Sequence, residues 1–84
     1  PPGYPRGSGA SGLACDIVIR NLTKGPVEIY WLPPAGGRKK YTVLAAGATF
    51  RQHSYVGHRW IAVREGKIVA RYTVAEDHPL WIIR

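Results

Sequence analysis

Sulfur and negative charge are scarce in this chain: its 84 residues include one cysteine, no methionine and five acidic side chains. A lone Cys15 excludes an internal disulfide and a cysteine-based zinc cluster, and it leaves the redox compartment open. The acids are Asp16, Glu28, Glu65, Glu76 and Asp77, and no spacing ties any of them to a histidine. A hydrolytic triad needs a carboxylate to orient its histidine. Neither that pattern nor a nucleophile elbow nor an oxyanion loop is visible, so no enzyme activity and no cofactor are expected. Long apolar runs are missing too. Nothing approaches the roughly 20 residues of a membrane-spanning helix, so no membrane partner is expected. No segment holds a helical period over ten or more residues, and no internal repeat or signal peptide is visible. A chain that begins at Pro1 without methionine reads as an excised domain or a processed product.

What is present is aromatic, basic and strongly alternating. The length allows one domain, and a chain this short buries only about 60% of the surface its unfolded form exposes. Three tryptophans and five tyrosines compensate, because each supplies a large contact area. The net charge of +7 points to an acidic partner, a nucleic acid or simply a solvated positive surface. Only Arg38-Lys39-Lys40 forms a basic run. Residues 1–12, PPGYPRGSGASG, read as a flexible linker or disordered arm ahead of a folded domain at 13–84. Glycine does not recur every third residue there, which excludes collagen.

From Leu13 onward the pattern is a series of short strands between turn signals. They are expected at Ala14 to Asn21, Val27 to Leu32, Tyr41 to Leu44, Ala48 to Ser54, His58 to Val63, Ile68 to Val74 and Leu80 to Ile83. Val27, Ile29 and Trp31 share one face of the second strand, and Ile68, Ala70, Tyr72 and Val74 share one face of the sixth. The fold class is therefore all-β, a small antiparallel β-sandwich or barrel.

One stretch concentrates the chemistry: His53-Ser54-Tyr55-Val56-Gly57-His58-Arg59-Trp60. It reads as a hairpin with a three-residue loop closed by Gly57. Ser54 then opposes His58 across the pair, with Cβ atoms roughly 4.5–5.5 Å apart. The same register sends His53 and His58 to opposite faces, so no metal site is expected. Two binding readings remain beside core packing and a turn-stabilising hydrogen bond. One is a basic, aromatic surface for single-stranded nucleic acid, built from Tyr30, Trp31, Tyr41 and the 38–40 run. The other is an aromatic pocket with one or two polar groups that recognises a small polar group.

The segment Tyr41-Thr42-Val43-Leu44-Ala45-Ala46-Gly47 followed by Gln52-His53-Ser54-Tyr55-Val56-Gly57-His58-Arg59-Trp60 resembles the β domain of the von Hippel-Lindau tumour suppressor family. The likeness runs back through Trp31 to Asn21 and, more loosely, on into Ile68 to Val74. That resemblance implies a β-sandwich binding module for peptides containing 4-hydroxyproline or proline. It implies that Ser54 and His58 hydrogen-bond the ligand hydroxyl and that Trp31, Tyr41 and Trp60 wall the pyrrolidine ring. His53 and Tyr55 match positions lining the peptide groove. The sequence after Val74 does not resemble the family's helical domain, so recruitment of an elongin–cullin ligase is not expected of this chain. Phe50 stands where the family carries a basic residue.

Overall fold

The computed structural model describes residues 13–84; the arm expected at residues 1–12 lies outside them. The described residues form seven strands: β1 (Ala14–Asn21), β2 (Val27–Leu32), β3 (Lys39–Leu44), β4 (Thr49–Tyr55), β5 (Arg59–Arg64), β6 (Lys67–Thr73) and β7 (Leu80–Ile83). Each expected strand is present within a few residues of its expected bounds. They assemble into a three-stranded sheet, β4-β1-β7, and a four-stranded sheet, β3-β2-β5-β6. The all-β sandwich is as the alternation predicts. One pairing departs from antiparallel: β7 runs parallel to β1.

Alternation decides which side chains meet between the sheets. Ile17 and Ile19 from β1, Val27 and Ile29 from β2, Trp60 and Ala62 from β5, and Trp81 and Ile83 from β7 form the core with Leu44 and Val74. Asn21 sits in the same interior, fully buried, and its amide is satisfied on both sides. Its Nδ2 donates to the carbonyls of Gly25 and Leu44, each at 2.9 Å. Its Oδ1 accepts from the Thr23 N–H at 2.9 Å and the Thr23 hydroxyl at 2.6 Å. One side chain thereby ties β1 to the end of β3 in the other sheet. Asn21→Leu removes these bonds and orphans buried carbonyls, so a loss of roughly 2–3 kcal/mol is expected in chemical denaturation. A loss of a few tenths would show that the network contributes little.

The hairpin expected at 53–60 does not form. β4 and β5 belong to different sheets: β4 pairs with β1, and β5 pairs with β2 and β6. Residues 55–58 instead make a β-turn that carries the chain across the sandwich. The His58 N–H donates to the Tyr55 carbonyl at 3.0 Å, and Gly57 has φ of 92°. Those values match the third position of a type II turn, where a positive φ favours glycine. Residues 45–48 cross between the sheets through the same closure, Ala48 N–H to the Ala45 carbonyl, with Gly47 at φ of 78°. A tight turn between two alternating segments carries no local signal of whether those segments pair or part.

Two bulges also shift the expected faces. Ala62 opposes Ala70, but Val63 opposes Ile68, so Val69 is the extra residue. Ala70, Tyr72 and Val74 face the core as expected, whereas Ile68 turns outward beside Val63 and is 42% exposed. In the β2–β3 pair, Ile29 opposes Thr42 and Tyr30 opposes Lys40, leaving Tyr41 as the extra residue. Strict alternation from the inward Leu44 would point Tyr41 out with Val43. A bulge re-aims a side chain, and Tyr41 packs edge-on against Trp60, ring centroids 5.0 Å apart.

Candidate functional site

At one end of the sandwich the exposed edges β3 and β4 flank a cavity of about 190 Å³. Trp31, Tyr41, His53, Ser54, Tyr55, His58 and Trp60 all line it, and so does Gln52. This volume is below the roughly 300–1,000 Å³ of pockets for drug-sized ligands, and it suits a single side chain better. The seven candidate residues are thus brought together, although by a different route from the expected hairpin. Ser54 lies on β4 opposite Cys15, and Trp60 lies on β5 opposite Trp31. His58 hangs from the turn between the sheets, held by two backbone bonds to Val74: Gly57 N–H to its carbonyl and Val74 N–H to the His58 carbonyl, both 2.9 Å. Gln52 was not among the candidates. Its signal was a polar residue at a core-facing strand position, since it opposes the fully buried Ile17.

At the floor, the Trp60 indole Nε1–H donates to Ser54 Oγ at 3.0 Å, a bond that spans the two sheets. Ser54 is 2% exposed and His58 5% exposed. Because the serine oxygen already accepts from the indole, its own O–H is left to donate. His58 stacks on Trp31 with ring centroids 5.3 Å apart at 28° and sits 5.2 Å from the Tyr55 ring. Burial pushes the His58 imidazole below its ordinary pKa, because desolvation disfavours the charged form. Its neutral ring offers one donor and one acceptor.

That shift has a consequence for stability. The unfolded chain takes up a proton at His58 near the ordinary value of about 6.5, before the folded chain does. Stability is therefore complete above that value and falls as the pH drops below it. Denaturation midpoints should decline from about pH 7.5 to about pH 5.5, and His58→Gln should flatten the decline. An unchanged slope in the variant would assign the pH dependence to other groups.

His53 and His58 both line the cavity, contrary to the opposite faces expected of a hairpin. His53 is the more exposed of the two, and its Nδ1 lies 2.7 Å from Asp16 Oδ1, directly across the β1–β4 pair. An exposed pair of this kind adds little stability, but it fixes the ring edge-on to Tyr55, centroids 5.2 Å apart. The basic run divides among three neighbours. Arg38 lies over the Tyr30 ring at 4.5 Å, Lys39 over Tyr41 at 5.5 Å, and Lys40 pairs with Glu28 at 3.1 Å. The Tyr30 hydroxyl, and then Lys40, hold the Glu28 carboxyl below its usual range.

The family model of the VHL beta domain matches residues 7–82, nearly the whole chain. The chain belongs to that family. No curated protein matches it. VHL beta domains are binding modules that recognise protein substrates. The sandwich, the floor bond between Trp60 and Ser54, and the aromatic walls are therefore features of a VHL beta domain whose cavity opens between two sheet edges.

Proposed function

We propose that this domain binds a partner protein through a 4-hydroxyproline, with Ser54 and His58 reading the hydroxyl and Trp31, Tyr41 and Trp60 enclosing the ring. The observation that carries this reading is the Trp60–Ser54 bond at the floor of a side-chain-sized cavity. It commits one lone pair of the serine oxygen and turns the O–H into a donor. Neutral His58 beside it can accept from, or donate to, the same ligand oxygen. One hydroxyl needs both roles from its surroundings, and this pair supplies them. Flat aromatic walls suit a pyrrolidine ring, which is compact and loses little conformational freedom on binding.

The flanking peptide has a natural track. β4 is an edge strand, with β1 on one side only. An extended peptide can add to such an edge through its backbone while one side chain enters the cavity. His53 and Tyr55, on the outward side of β4, then border that peptide. The protein would act as a binding module and not as an enzyme.

Titration with matched peptides that differ in one 4-hydroxyl tests the proposal directly. Equal affinity for the hydroxyproline and proline forms would remove hydroxyl recognition. A salt series separates the competing ligand class. Binding to a single-stranded nucleic acid or another anionic polymer falls steeply with salt through counterion release, whereas a neutral hydroxyproline site changes little.

A further inference from the structure

Among the described residues the sandwich has four strand edges at its sides, on β3, β4, β6 and β7. Exposed edges invite pairing with another chain, and proteins blunt them with bulges, lysines or prolines that face the open side. β3 carries a bulge and two lysines, Lys39 and Lys40. β6 carries a bulge, Lys67 and Arg71. β4 borders the candidate cavity and bears Arg51, 75% exposed at its side chain. Among the described residues β7 has no bulge, no lysine and no outward proline, and its shortness is what limits it as an edge. Its four residues, Leu-Trp-Ile-Ile, pair with β1 in unbroken register. Pro79 precedes it, but the Pro79 carbonyl accepts from the Val18 N–H at 2.9 Å. The missing proline N–H is therefore on the β1 side and does not protect the open side.

The open side is regular. Ile83, like Pro79, turns its carbonyl to β1, where the Leu22 N–H donates at 2.7 Å. In a parallel ladder the residues between must then turn their N–H and C=O outward. Leu80 and Ile82 thus present the free backbone groups, and Leu80 is 42% exposed. We infer that β7 is a pairing edge for a second copy of this chain, the two strands running antiparallel about Trp81. In that register Leu80 opposes Ile82 of the second copy, and Ile82 opposes its Leu80. Each pair exchanges both backbone hydrogen bonds, which makes the contact self-complementary, as a two-fold interface requires.

The side chains and charges agree with a second copy as occupant. On the outer face, Val18 lies opposite Leu80 in its own sheet, so a continuous apolar stripe runs from Val18 through Leu80 to Ile82 of the other copy. Charge is complementary along the same line. Glu76 and Asp77, two of the five acids, precede β7, and Arg84 follows it. Antiparallel pairing brings Arg84 of each copy alongside the Glu76–Asp77 loop of the other. These acids offset part of the chain's basic charge at the contact, where Arg20 lies beside Ile82. The contact joins β4-β1-β7 of both copies into one continuous sheet and leaves the cavity between β3 and β4 open.

The test is sedimentation equilibrium of the full chain from micromolar to millimolar concentration. So short a contact belongs among small, weak interfaces, and a dissociation constant on the order of 10–100 µM is expected. Ile82→Pro deletes an outward N–H that β1 does not use, so it should abolish the dimer while leaving cooperative unfolding. Leu80→Lys should do the same without touching the backbone. Arg84→Glu should weaken the dimer several-fold, and Glu76→Lys in the same chain should restore it. A monomer at every concentration overturns the inference. So does a dimer indifferent to Ile82→Pro and Leu80→Lys, including one that disappears only when residues 1–12 are deleted.

Discussion

A peptide carrying 4-hydroxyproline should bind this domain at least about thirty-fold more tightly than the same peptide carrying proline, a difference of roughly 2 kcal/mol. The magnitude follows from the two polar groups at the cavity floor. Proline fits the same aromatic walls and keeps their contacts. It gives nothing back to the Ser54 O–H or the His58 ring, which are almost wholly buried. Each buried polar group displaced from water and left unmatched costs about 1–3 kcal/mol. The lower end applies, because the cavity is open enough for water to serve the proline complex in part. Sites built to pair with a hydroxyl reject the analogue lacking it far better than apolar sites reject an added one. Ser54→Ala should bring the two affinities together, chiefly by weakening the hydroxyproline complex. His58→Phe should do likewise while keeping a flat ring against Trp31. Binding of the hydroxylated peptide should also weaken as pH falls and His58 gains a proton, since the charged ring has no acceptor left. A preference for hydroxyproline that survives both substitutions would move the hydroxyl contact elsewhere.

Trp60→Ala should remove roughly half of the domain's stability. Trp60 is 2% exposed and is the largest of the fully buried side chains. It packs in the core, receives the edge of Tyr41 and bonds Ser54 in the opposite sheet. Truncating a buried tryptophan costs about 3–5 kcal/mol. A folded domain of this size has only about 4–11 kcal/mol in total, from about 0.05–0.15 kcal/mol per residue. Trp60→Phe separates the two roles of the side chain. It keeps most of the packing and loses the indole donor, so Ser54 is free to turn its hydroxyl. That variant should fold, with a modest drop in denaturation midpoint, and should lose part of its hydroxyl selectivity. Cooperative unfolding of Trp60→Ala with a loss below about 1 kcal/mol would contradict the central place given to this residue.

Local pattern made the strands legible. Ile17 and Ile19, Val27 and Ile29, and Trp60 and Ala62 alternate with outward residues, and all of them are core. Period-two alternation is a property of the extended backbone, so it survives whatever partner a strand finds. The turns were legible for a similar reason: Gly47, Gly57 and Gly66 stand where the chain needs positive φ. Partner choice was not legible. A glycine at 57 suits a three-residue hairpin loop as well as a corner, and the type II turn actually formed, with its bonds to Val74 and the pairing of β4 with β1, makes it a corner. Gln52 is not legible as a site residue, because a polar residue at an inward strand position has meaning only beside the cavity that the two sheets form.

Seven of the eight residues lining the cavity were thus legible in the sequence, while the cavity's geometry was not. Residue types, spacing and the likeness around His53 to Trp60 determined an all-β fold of the VHL beta domain family and marked the aromatic and polar side chains that line the cavity. Tertiary structure alone decided that Ser54 and His58 line one cavity across a sheet-to-sheet corner and not along a hairpin. It alone turned Tyr41 inward, through a bulge that no alternation predicts, and set Trp60 Nε1–H on the serine oxygen. The physical reason is range. Alternation and turn residues act between neighbours in the chain, whereas the cavity depends on how two sheets choose their strands and register.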